Sequence, residues 1–252
     1  MKIVTYNLRC VWNGDGINSF IHRVGLIYEK IQEEKPDIIA FQEVVEKQAE
    51  FLERMFPEYA FAGHGRLEDY SGEGLYTAVR KDTCMLASVE VFWLSPTIYV
   101  PASRFEDQSP CPRTCVVTLV RHKETGKMLR VYNVHLDHVG PKARIDGMQC
   151  VLDKVKVDEA RGKAEIVVLG DFNEKPEGGA VTLCNEYPLH EVTKEITGTF
   201  HNYGKIEDAK IDYIFVSEGL NTGLKKAEAW TDQKNGIFLS DHYPLCAEVV
   251  LK

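Results

Sequence analysis

Residues 165–173 read EIVVLGDFN, in which a run of branched apolar side chains gives way to an acid and an amide. The run Glu165–Leu169 is typical of a strand buried on both faces, because β-branched side chains pack well against a pleated surface. Asp171 and Asn173 follow two positions apart, a spacing that turns both side chains the same way. The ligand crevices of layered α/β folds lie at such strand ends. This stretch therefore predicts a buried strand that carries two polar groups into a site.

The same arrangement recurs along the chain, and each further polar group lies at the end of, inside or just before a short apolar run. The predicted strands are Ile3–Tyr6, Ile38–Gln42, Leu75–Val79, Val89–Leu94, Cys115–Arg121, Met128–Asn133, Glu165–Leu169, Ile211–Val216 and Leu245–Leu251. The polar residues associated with them are Asn7, Glu43, His135, Asp171, Asn173, Asp212, Asp241 and His242. Because such placements repeat, we expect these residues to share one site.

Three segments have the apolar period of a helix, and they start near Ile21, Val45 and Ile145. Many strands with few helices in a chain of 252 residues predict two packed sheets with helices outside, and we expect residues 1–252 to form a single domain. The segment Ser95–Pro112 contains four prolines between two predicted strands, which indicates a long ordered loop.

Composition and charge narrow the class of protein. The net charge of −8 excludes a protein that is basic as a whole, which favours a small or short substrate over a long nucleic acid. The sequence has no apolar run of about 18 residues, so no transmembrane segment is expected. The scattered spacing of the seven cysteines predicts reduced thiols rather than a zinc site, and the predicted location is cytoplasmic. No feature indicates an obligate protein partner.

The residue types suit phosphate chemistry with a hard metal ion. Glu43, Asp241 and the amide of Asn7 offer oxygen ligands of the kind that Mg²⁺ or Mn²⁺ prefers. Such an ion neutralises phosphate charge and stabilises a leaving oxygen. Asp171 could take a proton from water while Asn173 donates to a phosphoryl oxygen.

A histidine paired with an acid stays cationic and can bind phosphate or protonate a leaving group. Asp212 could pair with His242 in this way, because an acid inside an apolar strand is costly unless it has a partner.

Six motifs in order give the chain a recognisable resemblance. They are Thr5–Arg9, Phe41–Val44, Tyr132–His138, Leu169–Asn173, Ile211–Ile214 and Ser240–Pro244, and they lie along nearly the whole chain. The sequence resembles the endonuclease/exonuclease/phosphatase superfamily, whose fold is that of deoxyribonuclease I. The resemblance implies a four-layer α/β sandwich, in which two mixed β-sheets pack face to face with helices outside and the site lies at the strand ends.

The resemblance also implies a role for each matching residue. By this match, Glu43 binds the metal with help from Asn7 and Asp241. Asp171 activates the water, and Asn173 is its partner in the transition state. His135 and His242 contact the phosphate, and Asp212 orients His242. Glu73 matches the acid that pairs with His135 in deoxyribonuclease-like members.

The sequence is most similar to a subgroup of small, mostly bacterial members of uncharacterised substrate. The shared marks are residues 15–20 followed by Arg23, residues 63–66, residues 92–95 and residues 136–138 ahead of Ala143 and Arg144. Phe20 stands where the subgroup usually has Trp, and a usual Trp after residue 101 is missing. These departures lie in predicted substrate-facing loops, so they bear on specificity rather than on hydrolysis.

Further candidates for substrate contact lie near the predicted loops. Arg23, Arg66, Arg80 and Arg113 could each bind phosphate or simply form ion pairs, and Arg113 is favoured because it precedes a strand beside the long loop. Trp12 lies in a loop rich in Gly and Asn just after Asn7, where it could stack on a base or a sugar. For His138 a structural and a substrate-binding role fit the sequence equally well.

These observations predict a hydrolase that uses Mg²⁺ or Mn²⁺ to cleave a phosphoester, either a phosphodiesterase or nuclease or a phosphatase. The substrate could be a nucleic acid, a nucleotide, or a lipid or sugar phosphate. The alternative is a non-catalytic module that retains the fold and binds a phosphate ligand, although degenerate members normally lose acids that this chain keeps. A zinc hydrolase is a weaker alternative, since the sequence has no HxxxH or CxxC pattern.

Overall fold

The computed structural model of the protein describes residues 1–206 and 209–251. The strands are β1 Lys2–Asn7, β2 Ile38–Val44, β3 Tyr59–Gly65, β4 Gly74–Arg80, β5 Cys84–Trp93, β6 Thr114–His122, β7 Met128–His135, β8 Glu165–Asp171, β9 His190–Glu191, β10 Asp212–Val216, β11 Leu224–Ala229, β12 Gln233–Lys234, β13 Ile237–Phe238 and β14 Leu245–Val249. The α-helices are α1 Phe20–Glu34, α2 Glu46–Met55, α3 Pro141–Arg161, α4 Gly179–Glu186 and α5 Glu218–Asn221, with a 3₁₀ segment at Asn13–Asn18.

The strands form two six-stranded mixed sheets and a short ribbon of β12 and β13. The first sheet has the order β11-β14-β1-β2-β4-β3, and the second has the order β5-β6-β7-β8-β10-β9. Each sheet holds one parallel pair, β1 with β2 and β7 with β8. A parallel pair needs a crossover connection, which is why α1 follows β1 and α3 follows β7 along the chain.

Apolar side chains hold four layers together. Ile3 of the first sheet and Val131 and Val167 of the second belong to one buried cluster between the sheets. A second cluster joins α1 and α2 to the outer face of the first sheet, and a third joins α3 and α4 to the outer face of the second. This arrangement confirms the predicted sandwich, and it explains the continuous apolar runs of strands that are covered on both faces.

A pair of buried amides joins the two sheets beneath the strand ends. The Nε2 of Gln42 donates to the Oδ1 of Asn133 at 2.8 Å, and the Nδ2 of Asn133 donates to the carbonyl of Phe41 at 3.1 Å. Both side chains are fully buried. Because a buried amide without partners is costly, this contact fixes the first sheet against the second close to Asn7 and Glu43.

The predicted strands and helices are confirmed, but sequence analysis missed β3, β9, β11, β12, β13, α4 and α5. The segment Leu224–Ala229 reads LKKAEA, a charged pattern that suits a sheet edge exposed to water, and such a pattern hides a strand from sequence analysis. Every residue of Ser95–Pro112 is described, and none lies in a helix or strand, as predicted. Across residues 1–206 and 209–251, each helix is too short or too polar to cross a membrane.

Candidate active site

Strand register brings three of the predicted residues side by side in the second sheet. His135 at the end of β7 is paired with Asp171 at the end of β8, and Asp212 at the start of β10 is paired with Asp171 from the other side. Residues paired in register project to the same face of a sheet. The site therefore begins as a row of one histidine and two acids across three neighbouring strands.

The first sheet contributes to this row from the opposite side. The Nδ2 of Asn7, the last residue of β1, donates to the Oδ2 of Asp171 at 3.0 Å and to the Oε1 of Glu43 at 3.1 Å. One amide thus holds a carboxylate from each sheet, which places the site in the crevice between the sheets at their strand ends. The Oδ1 of the same amide accepts the backbone N–H of Arg9 at 3.0 Å.

A bulge near the end of β2 sets the position of Glu43. The pairing of β2 with β4 shifts between Phe41 and Val44, and Glu43 adopts a left-handed φ of 59°. The bulge points its carboxylate at Asn7, and the Oε2 also accepts the backbone N–H of Cys10 at 3.2 Å. A non-glycine residue in this conformation costs on the order of 1–3 kcal/mol, and such strain is concentrated at functional sites.

The end of β8 depends on a glycine and on a second left-handed residue. Gly170 has a φ of 143°, and a Cβ there would lie 1.9 Å from the carbonyl oxygen of Val134 on the neighbouring strand. Asn173 has a φ of 50°, which lets its backbone N–H donate to the Oδ1 of Asp171 at 2.8 Å. Its side-chain Nδ2 donates to the carbonyl of Leu136 at 3.1 Å. The GDFN stretch therefore positions Asp171 through backbone geometry as well as through side chains.

His242 is held in its charged form by the pairing that the sequence predicted. Its Nδ1 lies 2.8 Å from the Oδ2 of Asp212, and its Nε2 lies 3.9 Å from the Oδ2 of Asp171. Burial alone would lower the pKa of His242, but the negative charges of Asp212, Asp171 and Asp241 raise it to about 10. With Nδ1 directed at Asp212, the Nε2–H is directed toward Asp171 and the crevice.

The pKa values of Asp171 and His135 are shifted in opposite directions. Burial, and then repulsion from Asp212, raise the pKa of the Asp171 carboxyl to about 7. Burial and the positive charges of Arg113 and Arg66 lower the pKa of His135 well below its ordinary value of 6.5. The Nε2 of this neutral His135 lies 3.5 Å from the Oδ2 of Asp171. Neighbouring groups whose pKa values are pushed apart in this way are typical of acid–base sites.

These residues surround a cavity of about 470 Å³. The predicted residues that line it are Glu43, Arg66, Glu73, Arg113, His135, His138, Asp171, Asn173, Asp241 and His242. Asn7 and Asp212 are buried behind Glu43 and His242, which they orient. Trp12 is not among the described residues that line the cavity; it is 59% exposed and its indole lies against Gly14, so substrate contact by Trp12 stays a prediction.

The acidic side of the cavity suits a hard divalent cation. Ligand atoms of Glu43, His135 and Asp171 lie within 4.8 Å of one another. Asp241 lines the same cavity, and burial and the charge of Glu43 raise its pKa, an electrostatic cost that a cation would relieve. The guanidinium of Arg9 lies 3.5 Å from Asp241 and 3.9 Å from Glu43. The donor set therefore fits Mg²⁺ or Mn²⁺.

Comparison with known proteins agrees with this geometry. The model of the Endonuclease/Exonuclease/phosphatase family matches residues 4–242. The chain belongs to this family. Membership confirms the resemblance in the six motifs and supports a phosphoester hydrolase activity.

Solved structures of similar proteins cover 99% to 100% of this chain. An endonuclease/exonuclease/phosphatase from Bacteroides vulgatus is 28% identical, with a TM-score of 0.92 and coverage of 100% of this chain and 98% of its own. A conserved protein of unknown function from Enterococcus faecalis is 29% identical, with a TM-score of 0.90 and full coverage of both chains. A mannosyl-6-phosphatase from Bacteroides thetaiotaomicron is 27% identical, with a TM-score of 0.88 and 99% coverage of each chain. Among curated proteins, no match to the sequence is found.

The predicted pairing of Glu73 needs correction, and two of the candidate arginines make other contacts. Glu73 does not pair with His135, because its Oε1 accepts a hydrogen bond from the Nη1 of Arg66 at 2.6 Å, and burial raises its pKa. Arg23 is not placed to bind phosphate. It is fully buried, and its guanidinium donates to backbone carbonyls, including those of Leu8 and Leu239. Arg80 is paired with Asp82.

Several residues that line the cavity were not singled out from the sequence. They are Arg9, Cys10, Cys111, Phe200, Asn202 and Ile211. Arg9 and Cys10 lie two and three residues after Asn7, and this closeness to a predicted site residue could have identified them. Phe200 packs on the ring of His242 with centroids 4.8 Å apart, a contact between distant segments that no local pattern indicates.

Proposed function

We propose that this member of the family is a divalent-metal-dependent hydrolase of phosphoesters, in which water attacks phosphorus in line. The observation that carries the proposal is the environment of Asp171. Its buried carboxyl has a pKa near neutrality and lies between a neutral His135 and a cationic His242, beside the carboxylate of Glu43.

Glu43 and Asp241 would hold the metal ion. Asn7, which was predicted as a further ligand, would instead fix the carboxylate of Glu43 from behind, because its amide donates to Glu43 and accepts from the backbone of Arg9. Burial opposes ionisation of Glu43, but the hydrogen bond from Asn7 and the charge of His242 lower its pKa, which keeps it anionic as a ligand must be. When bound, Mg²⁺ or Mn²⁺ supplies neutralisation of phosphate charge and stabilisation of the leaving oxygen.

Asp171 would orient the attacking water and accept its proton. One oxygen is held by the backbone N–H of Asn173 and the other by the amide of Asn7, so the carboxylate cannot rotate away. A general base works best when its pKa lies close to the operating pH, and a value of about 7 meets that condition.

His242 and Asn173 would stabilise the negative charge that develops on the phosphoryl oxygens. The imidazolium of His242 can donate from Nε2, because Asp212 engages Nδ1. The amide nitrogen of Asn173 carries two hydrogens, so one can donate to Leu136 and the other to a phosphoryl oxygen. His135, which is neutral, contacts Asp171 and can bind the phosphate without adding charge.

The cavity favours a small or short substrate. Its volume of about 470 Å³ is that of a small-molecule site, and the net charge of −8 opposes long-range attraction of a polyanion. The similar mannosyl-6-phosphatase acts, by its name, on a sugar phosphate, and we extend that substrate class to this chain as a proposal. The cytoplasmic location predicted from the sequence is likewise a proposal.

Hydrolysis assays with Mg²⁺ or Mn²⁺ test the proposal. The panel holds sugar phosphates, nucleotides, phosphoinositides, RNA and DNA. The wild type should turn over at least one of them, and Asp171→Asn should reduce the rate at least roughly 100-fold while the metal still binds. Asp153→Asn, which changes a solvent-exposed acid of α3, is the matched control and should keep full activity. Metal binding without turnover of any substrate would favour the non-catalytic module instead.

A further inference from the structure

One wall of the cavity carries a buried arginine with unmet hydrogen-bonding capacity. Arg113 immediately precedes β6, and its side chain is 5% exposed. Its Nη2 lies 2.9 Å from the Nδ1 of His138, whereas Nε and Nη1 have no hydrogen-bond partner among the described residues. The nearest acid, Asp137, is 3.7 Å from Nε, which is an ion-pair distance and not a hydrogen bond.

Two further donors lie on the same wall. Arg66, at the end of β3, lines the cavity beside Arg113, and the two positive charges repel each other. The Nδ1 of His138 accepts from Arg113, which places the proton of a neutral imidazole on Nε2. Half of the His138 side chain is exposed, so this Nε2–H can reach a ligand.

A buried guanidinium normally has an acceptor for each N–H, because a buried donor without a partner is destabilising, and more so when it is charged. Glu73 offsets part of the charge by pairing with Arg66, but it makes no hydrogen bond to Arg113 among the described residues. Planar guanidinium groups match the oxygens of phosphate in a forked arrangement. The wall therefore has positive charge and donor capacity that an anion entering the cavity can engage.

We propose that Arg113, Arg66 and His138 form an anion subsite that selects phosphate monoesters over phosphodiesters. The inference rests on the proposed function, because it assigns the substrate class of the same site. A monoester carries a charge of about −1.5 to −2 at pH 7 and three terminal oxygens, whereas a diester carries one charge and two terminal oxygens. Asp171, His135 and His242 face the phosphate from the reaction side, and the arginine wall supplies donors for the additional charge and the third oxygen.

The subsite can be tested by binding, independently of turnover. Inorganic phosphate and dimethyl phosphate are titrated calorimetrically into the wild type at pH 7.5, with and without Mg²⁺. Phosphate should bind more tightly than dimethyl phosphate by at least about tenfold, since it makes further charge-assisted hydrogen bonds. Arg113→Met, which keeps most of the apolar stem, should weaken phosphate binding about 10- to 100-fold and remove the preference.

Three further variants separate binding from folding. Arg113→Lys keeps the positive charge but lacks the planar guanidinium, so it should retain only part of the affinity for phosphate. His138→Ala changes a half-exposed side chain, so the protein should fold normally and bind phosphate about two- to tenfold more weakly. Arg121→Met, on the exposed part of β6, is the matched control and should bind phosphate like the wild type.

The same variants are then assayed with p-nitrophenyl phosphate and bis(p-nitrophenyl) phosphate. The ratio of monoester to diester kcat/KM should fall at least about tenfold in Arg113→Met. If the wild type binds both anions equally, or if folded Arg113→Met and His138→Ala both keep the wild-type affinity, the subsite does not exist and Arg113 only stabilises the turn at Asp137. If phosphate binding depends on Arg113 but nothing is hydrolysed, the subsite stands and the proposed hydrolysis fails.

Discussion

Replacing Asp212 by Asn removes one negative charge from the centre of the site while leaving its shape nearly unchanged. The carboxylate is 3% exposed and lies 2.8 Å from the Nδ1 of His242. If His242 is the cation that receives negative charge from the phosphate, its protonation should depend on this partner more than on any other residue. Asp212→Asn is therefore the most direct perturbation of the proposed chemistry.

The structure gives the magnitude. The pKa of His242 rises from an ordinary 6.5 to about 10, against the effect of burial, and Asp212 is the largest single contributor to that rise. A change of this size corresponds to roughly 5 kcal/mol in favour of the imidazolium, at about 1.4 kcal/mol per pKa unit. Without the charge of Asp212, burial should dominate, and the pKa of His242 should fall to about 7 or below.

The sign of the effect on stability follows from the same shift. A raised folded-state pKa means that the metal-free protein gains stability from His242 fully below pH 6.5 and loses it progressively as the pH rises toward 10. Thermal unfolding between pH 6.5 and 10 should therefore show a decline in the wild type that is much shallower in Asp212→Asn.

NMR titration of the ring nitrogens of His242, together with kcat across pH, provides the assay. The variant should lose about 10²- to 10⁴-fold in kcat at pH 8, with a smaller loss at pH 6, where more of His242 is protonated. Glu191→Gln removes a partly buried carboxylate that neighbours β10 but pairs with Lys210, so it is the matched control and should leave the pKa of His242 unchanged. A variant His242 that stays protonated above pH 9, or a loss of kcat that is equal at pH 6 and pH 8, would refute the reasoning.

Three further predictions concern the support of the site. Burial alone would raise the pKa of Asp137, but hydrogen bonds from Gly140 and Ser109 lower it to about 2. The ionised carboxylate should contribute roughly 2 kcal/mol to the free energy of unfolding above pH 4, and this contribution should be lost as the pH falls toward 2. The difference in urea-unfolding free energy between the wild type and Asp137→Asn should therefore narrow over that range. A difference that stays constant with pH would contradict the prediction. Arg23→Lys should lower the free energy of unfolding by about 2–4 kcal/mol, because an ammonium group cannot reach all the carbonyls to which the guanidinium of Arg23 donates. Arg54→Lys, which changes an exposed side chain, should have no measurable effect. Addition of Mg²⁺ should raise the Tm of the wild type through binding to the folded state, and an equal rise in Glu43→Gln would argue against Glu43 as a ligand.

The sequence alone determined the layers of the fold and most of the residues of the candidate site. Apolar runs such as Ile166–Leu169 predict strands covered on both faces, since period and β-branching are local properties of the chain. The polar residues at the strand ends identified the crevice before any contact was known, because the ends of neighbouring strands meet at one edge. The family followed from the order of the six motifs.

Only the tertiary structure decided how those residues are paired and charged. Glu43 reaches the site through a bulge with a φ of 59°, and the partner of Glu73 proved to be Arg66 instead of His135. The incomplete hydrogen bonding of Arg113 depends on which side chains pack around it. Backbone strain, ion pairing and pKa values are set by atoms that are distant in the chain and close in space. The sequence therefore predicts which groups reach the crevice, and folding decides which of them carry charge there and which anion they can bind.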